Sequence, residues 1–202
     1  MFFPGAGKKR AEDYVFDLYK AQRKQHIMAN IAGGRLPNKK QGGTVMTPEE
    51  FVTTFKPYAK IIEEMYGLPW RAVLAQAALE TGWLRNPVTD LETGRLSYNL
   101  FNIKGEGPAG SVKAYEEQYI NGRLVKRVHR FRAYHNYEES FIDYARLITE
   151  NPRYQEALDV AADPEAYVRR IQKAGYAEDP RYAEKLIQIM RKYIQEEAEP
   201  ID

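Results

Sequence analysis

Helical periodicity runs through most of this chain, with one interruption that reads as β. From Met46 the apolar positions Phe51, Phe55, Tyr58, Ile62 and Met65 recur at steps of three and four, with polar residues between them. Thr47 and Glu50 are spaced as a capping box, and Pro48 takes the first helical position, where its missing N–H costs nothing. Pro57 falls inside the pattern and predicts a kink; Gly67 ends the helix. A second helix opens at Pro69 and runs to about Gly82. From Leu74 to Leu79 every long side chain except Gln76 is apolar, and the run closes on an acid, Glu80.

After a loop-like stretch from Asn86 to Ser97, the period changes. Val112, Ala114 and Tyr115 lead to Asn121-Gly122, the strongest short hairpin signal, and Leu124 to Phe131 mixes β-branched with basic residues. Helical spacing then resumes. Asn136 and Glu139 cap a helix that holds Phe141, Tyr144, Ala145 and Ile148, and Asn151-Pro152 breaks it. A short helix is expected around Tyr154 to Val160. Asp163-Pro164 starts another that Gly175 stops, and Asp179-Pro180 starts the last, with Tyr182, Leu186, Ile189, Met190 and Tyr193 inward. Upstream, Ala11 to Ile31 predicts one helix, with Tyr14, Val15, Leu18 and Ala21 on its apolar face. Gly33 to Gly43 reads as a flexible linker, and residues 1–10 as disordered. The expected architecture is α+β and mainly helical: a two-lobed domain over 46–197 with an inserted β-hairpin, preceded by a helix and linker over 1–45. A hairpin lobe set among helices makes a cleft suited to a polymer.

Composition narrows the chemistry. The chain has 202 residues, enough for a sizeable core, and 29% of them are charged, yet the net charge is only +2. That balance argues against a dedicated nucleic-acid binder, although the run Arg123, Lys126, Arg127, Arg130, Arg132 can hold an anionic glycan. Cysteine is absent, which excludes disulfides, thiolate metal sites and a cysteine nucleophile. His26, His129 and His135 lack metal-ligand spacing, so neither metal nor cofactor is expected. The 15 tyrosines suit sugar rings and wet clefts, and equally the borders of a core. No apolar run is long enough for membrane insertion. The opening residues lack the basic-then-apolar order of a secretory signal. The expectation is a mature fragment, part of a larger exported or virion protein, or one released by another route.

Glu80 carries the strongest chemical suggestion. An acid closing an apolar helix lies partly out of water, which raises its pKa and keeps a proton available near neutrality. It also sits at the helix end where the dipole disfavours an anion. A protonated carboxyl of this kind can protonate a departing sugar oxygen. In Ser97-Tyr98-Asn99-Leu100-Phe101, Tyr98 and Phe101 offer an aromatic platform and Asn99 a hydrogen-bonding group for a sugar hydroxyl or acetamido; Lys104 follows. Glycoside hydrolysis normally needs a second carboxylate, and the hairpin supplies Glu116 and Glu117. Period-2 alternation puts Glu116 and Gln118 on one strand face and Glu117 on the other. Taken singly, each segment also has a structural explanation: a solvated helix end, a turn with buried aromatics, a charged strand.

In this order, the segments resemble the glucosaminidase family of peptidoglycan hydrolases, glycoside hydrolase family 73. The matching pieces are LAQAALETGW, SYNLFNIKGEGPAGSV, the hairpin with Tyr119-Ile120-Asn121-Gly122, FRAYHNYEESFIDYARLI, NPRY and AGYAEDPRYAEKL, spanning about Met46 to Tyr193. The resemblance implies a lysozyme-like fold and cleavage of the β-1,4 bond after N-acetylglucosamine in the glycan strands of peptidoglycan. It gives Glu80 the role of general acid and Tyr176 that of supporting the reaction centre. Candidate substrate-binding residues are Trp83, Tyr98, Asn99, Phe101, Lys104, Gln118 and Tyr119. Three positions depart from the family pattern: Leu84 and Asn102 replace glycines, and Gln118 stands where the hairpin commonly has glutamate. The second carboxylate is therefore Glu117 first and Glu116 next, or else the substrate's own acetamido group assists. Two alternatives stay open, a muramidase or lytic transglycosylase on the same fold and a non-catalytic wall-binding or assembly module. The expected setting is the bacterial cell wall, as a monomer or within a larger cell-wall, flagellar or phage assembly.

Overall fold

The computed structural model describes residues 46–120 and 123–195, with the side chains of 117–120 and 123–124 left out. The helix and linker expected within 1–45 lie outside the described residues, as does the Asn121-Gly122 turn.

Helix α1 (Pro48–Tyr66) starts as the pattern predicts. Thr47 Oγ1 accepts from the Glu50 amide at 3.1 Å, and Glu50 Oε2 accepts from the Thr47 amide at 2.8 Å. Pro57 lies within the helix without ending it; it is exposed, so the lost backbone donor faces solvent. Gly67, at φ 72°, closes the helix in the left-handed conformation.

Helix α2 (Trp70–Thr81) runs through the middle of the helical part, and its composition explains the placement. A helix apolar all round has to be covered all round. Ala72 to Ala78 are buried without exception, Gln76 included, under α1 and the two C-terminal helices. Small alanines let those neighbours approach closely.

Strands β1 (Ser111–Ile120) and β2 (Arg123–Arg132) pair antiparallel, with Val112 opposite Phe131, Ala114 opposite His129 and Glu116 opposite Arg127. The hairpin keeps a small core of its own in Val112, Ala114, Phe131 and Ala133, against which Val88 and Ala109 pack. Helix α3 (Tyr137–Glu150) follows, capped by Asn136, whose side chain accepts from the Glu139 amide. Asn151 caps a 3₁₀ turn (Pro152–Tyr154) that leads into α4 (Gln155–Leu158), shorter than its apolar pattern suggests. Helix α5 (Pro164–Lys173) is capped by Asp163, and α6 (Tyr182–Tyr193) is the last helix among the described residues. Helix α6 starts two residues later than expected, because Asp179 spends its carboxylate on the Arg181 amide in a turn before the helix.

The hairpin is fastened to the helices at its base. Arg132 Nη1 reaches both carboxylate oxygens of Asp143 on α3, at 3.0 and 2.8 Å, and Tyr134 donates to the same group at 2.7 Å. The result is a mainly helical α+β domain with one antiparallel hairpin. Among the described residues no helix is long and apolar enough to cross a membrane.

Candidate active site

A cleft of about 590 Å³ opens between the hairpin and the end of α2. Glu80, Asn102, Glu116, Tyr115, Leu91 and Phe131 are among the residues lining it. Three local structures bring them together. The end of α2 presents Glu80. A tight loop from Ser97 to Lys104 presents Asn102, which adopts φ 51°, the left-handed region where asparagine is the best tolerated residue after glycine. Strand alternation puts Glu116 on the same face as the buried Val112 and Ala114, so it continues the inward row out to the cleft.

Glu80 is held at both oxygens. The Tyr182 hydroxyl donates to Oε1 at 2.7 Å, and Asn102 Nδ2 donates to Oε2 at 2.9 Å and to the Glu80 backbone carbonyl at 3.1 Å. Burial pushes the Glu80 carboxyl above its ordinary value; the two hydrogen bonds pull the other way, and the nearby charge of Glu116 adds to the rise. Burial prevails. A half-buried acid with a raised pKa, open on one side to a groove, is chemically equipped to give up a proton there.

Glu116 meets a different environment. Its Oε2 lies 2.6 Å from Lys104 Nζ and 3.2 Å from His129 Nε2. All three side chains are between about one quarter and one half exposed, at 30%, 44% and 28%.

The other expected residues divide between the cleft and its foundations. Asn99 is buried with both ends of its amide committed: Nδ2 donates to the carbonyls of Ile103 and Arg132, each at 2.9 Å, and Oδ1 accepts from the amides of Phe101 and Ile103. It shapes the loop that carries Asn102 and has no group left for a sugar. Phe101 is buried as well, stacked on Tyr144 with ring centroids 4.2 Å apart, so it is floor and not platform. Trp83 packs edge-on against Phe51 and Tyr193 and is not part of the cleft lining. Tyr98 stands edge-to-face with Tyr137 at 5.1 Å. The Tyr176 hydroxyl donates to the Phe101 carbonyl at 3.0 Å, and its ring stacks on Tyr182 at 5.9 Å; it braces the group that touches Glu80 and does not bond Glu80 itself. The backbone of Glu117 pairs with Lys126; its side chain and those of Gln118 and Tyr119 lie outside the described residues.

Two contacts of Glu80 were not anticipated. Tyr182 reads from periodicity only as an inward position, yet a buried tyrosine hydroxyl needs a partner, and that need is visible in sequence. Asn102 stands out as a departure from the family's glycine, with nothing to say that its amide reaches Glu80. The third departure, Leu84 for glycine, is also at positive φ, 59°.

The family model described as mannosyl-glycoprotein endo-beta-N-acetylglucosaminidase matches residues 56–195. Peptidoglycan hydrolase FlgJ of Pseudomonas aeruginosa is 43% identical over 145 residues, 71% of this chain and 36% of that protein. A peptidoglycan hydrolase mutant from Sphingomonas sp. A1 has a similar solved structure, with TM-score 0.62 and 41% identity, covering 70% of this chain and 92% of that one. The C-terminally truncated glycoside hydrolase domain of Salmonella typhimurium FlgJ gives TM-score 0.59 at 37% identity, with 72% and 97% covered. The chain spans about a third to a half of the length of the FlgJ relatives it matches, but nearly all of these two solved domains. With the family model over most of its length and the same helical frame and hairpin in its relatives, this chain belongs to the glucosaminidase family.

Proposed function

We propose that this chain hydrolyses peptidoglycan at the bacterial cell wall as an endo-β-N-acetylglucosaminidase, with residues 46–197 as the catalytic domain. The glycan strand lies along the cleft between α2 and the hairpin. Glu80 gives its proton to the glycosidic oxygen as the bond to the anomeric carbon of N-acetylglucosamine breaks. The positive charge that develops on the sugar faces Glu116, and water finally supplies the hydroxyl to the anomeric carbon while its proton restores the acid. The observation that carries this reading is the pairing itself: a half-buried Glu80 whose carboxyl is pushed above its ordinary value and a hairpin carboxylate, Glu116, line one cleft. Glu116 takes the second position in preference to Glu117 because the inward row of β1 leads to it.

The test is product analysis of digested cell walls. Fragments ending in reducing N-acetylglucosamine are expected. Reducing N-acetylmuramic acid would mark a muramidase, and an anhydro-muramic end a lytic transglycosylase. Retention on insoluble peptidoglycan with no product would point to a binding or assembly module.

A further inference from the structure

Behind Glu80 a line of hydrogen bonds passes through the helical part. Tyr167 and Tyr144 share a hydrogen bond at 3.1 Å, the Tyr144 hydroxyl donates to Gln76 Oε1, and Gln76 Nε2 donates to the Tyr182 oxygen at 3.1 Å. Tyr182 then donates to Glu80 at 2.7 Å. Gln76, Tyr144 and Tyr167 are wholly buried and Tyr182 is 3% exposed, so bulk water does not compete for these groups.

The line has a direction, and Gln76 sets it. A carboxamide has an acceptor end and a donor end. With its oxygen turned to Tyr144, its N–H occupies one lone pair of Tyr182, and the one proton of Tyr182 is directed to Glu80. A half-turn of the amide would reverse every bond, leaving Glu80 to donate to Tyr182. On the other side of Glu80 the orientation is fixed independently. Asn102 Nδ2 also reaches the Glu80 backbone carbonyl, which can only accept, so Asn102 must be a donor to Oε2.

We infer that Gln76 and Tyr182 are positioning residues: Gln76 orients the Tyr182 hydroxyl so that its O–H stays pointed at Oε1 of Glu80, as a donor to the acid and not an acceptor from it. Burial, then the Glu80 charge, hold the Tyr182 hydroxyl well above its ordinary pKa, so it remains a neutral donor. The assignment rests on the reading of Glu80 as proton donor, and it adds which residues orient the hydroxyl that holds it.

The test reads Glu80 directly, by ¹³C NMR titration of its side-chain carboxyl in the full chain, assigned with Glu80→Gln. Tyr182→Phe removes a donor to the ionised form, so the Glu80 midpoint is expected to move up. Gln76→Met, close in shape, frees Tyr182 to accept from the neutral acid, and a smaller upward movement is expected. A midpoint that falls or stays in place in Tyr182→Phe would overturn the direction of the line. An unmoved midpoint in Gln76→Met, with Tyr182→Phe shifted as expected, would remove Gln76 from the assignment. The titration needs no turnover, so its failure is distinct from failure of the proposed function, which activity of Glu80→Gln decides.

Discussion

On the helical wall of the cleft, the Glu80 carboxyl is gripped by a phenol and an amide, both uncharged, in a setting sealed by alanine and tyrosine. On the hairpin wall, the Glu116 carboxylate meets an ammonium and an imidazole, in contact with solvent. Neutral donors fix the geometry of an acid without supplying the positive charge that would strip its proton; burial then decides, and Glu80 goes up. The hairpin wall offers the opposite: an ammonium, an imidazole and water around a carboxylate that, on the proposed reading, faces a developing positive charge. On the proposed reading, two carboxyl groups on one cleft take two roles from their surroundings.

The largest test of this contrast is Glu80→Gln. The amide keeps the size but has no proton to deliver, and turnover of purified cell walls is expected to fall by roughly 10²–10⁴-fold, with the fold intact by circular dichroism. Glu116→Gln comes next, with a loss on the order of 10²-fold, the scale of one well-placed electrostatic contact. It should also leave a mark on the other wall. Because the Glu116 charge helps raise the Glu80 pKa, its removal is expected to move the alkaline limb of the pH–rate profile to lower pH. Near-normal activity in Glu116→Gln would give the second role to the substrate's acetamido group.

Asn102→Gly probes the helical wall with a lighter touch. Glycine accepts the left-handed backbone at this position without strain, so the change deletes the amide donor and leaves the loop in place. Losing a donor to the ionised form favours the proton, and the alkaline limb is expected to shift to higher pH, opposite to Glu116→Gln. Activity at neutral pH should change only a few-fold. Equal directions in the two variants would mean that the two walls do not act on Glu80 as argued.

Much of the fold was legible because its signals are local. The capping box at Thr47, the glycine at Gly67, the all-round apolar α2 and the alternating hairpin each depend on residues near one another in sequence. The last helix starts two residues after the point its sequence suggests, because Asp179-Pro180 has the composition of a helix start while Asp179 is used in the turn itself. The site was legible only in part, for the same reason. Glu80 announces itself by closing an apolar run, but Tyr182 and Asn102 reach it from distant segments, and no periodicity encodes that meeting. Asn99 and Phe101 went the other way. Their motif has the composition of a binding surface, and packing makes it the support of the loop behind it.

The smallest effect is one of stability, and its sign follows from the direction in which burial moves Glu80. A carboxyl whose pKa is raised in the folded state binds its proton more tightly there than in the unfolded chain, where the reference value is 4.5. Folding stability from this group is therefore fully present below that value and is lost as pH rises through the folded pKa. Each tenfold change in a proton's binding constant is worth about 1.4 kcal/mol, which sets the scale of the decline. Glu80→Gln has no proton to lose and should lack that decline. Urea midpoints for the two proteins, measured from below pH 4.5 to neutrality, are expected to converge or cross as wild type weakens relative to the variant. A wild-type midpoint that gains on the variant over the same range would mean that Tyr182 and Asn102 outweigh burial. Glu80 would then be a carboxylate like its neighbour across the cleft, and the contrast between the two walls would be lost.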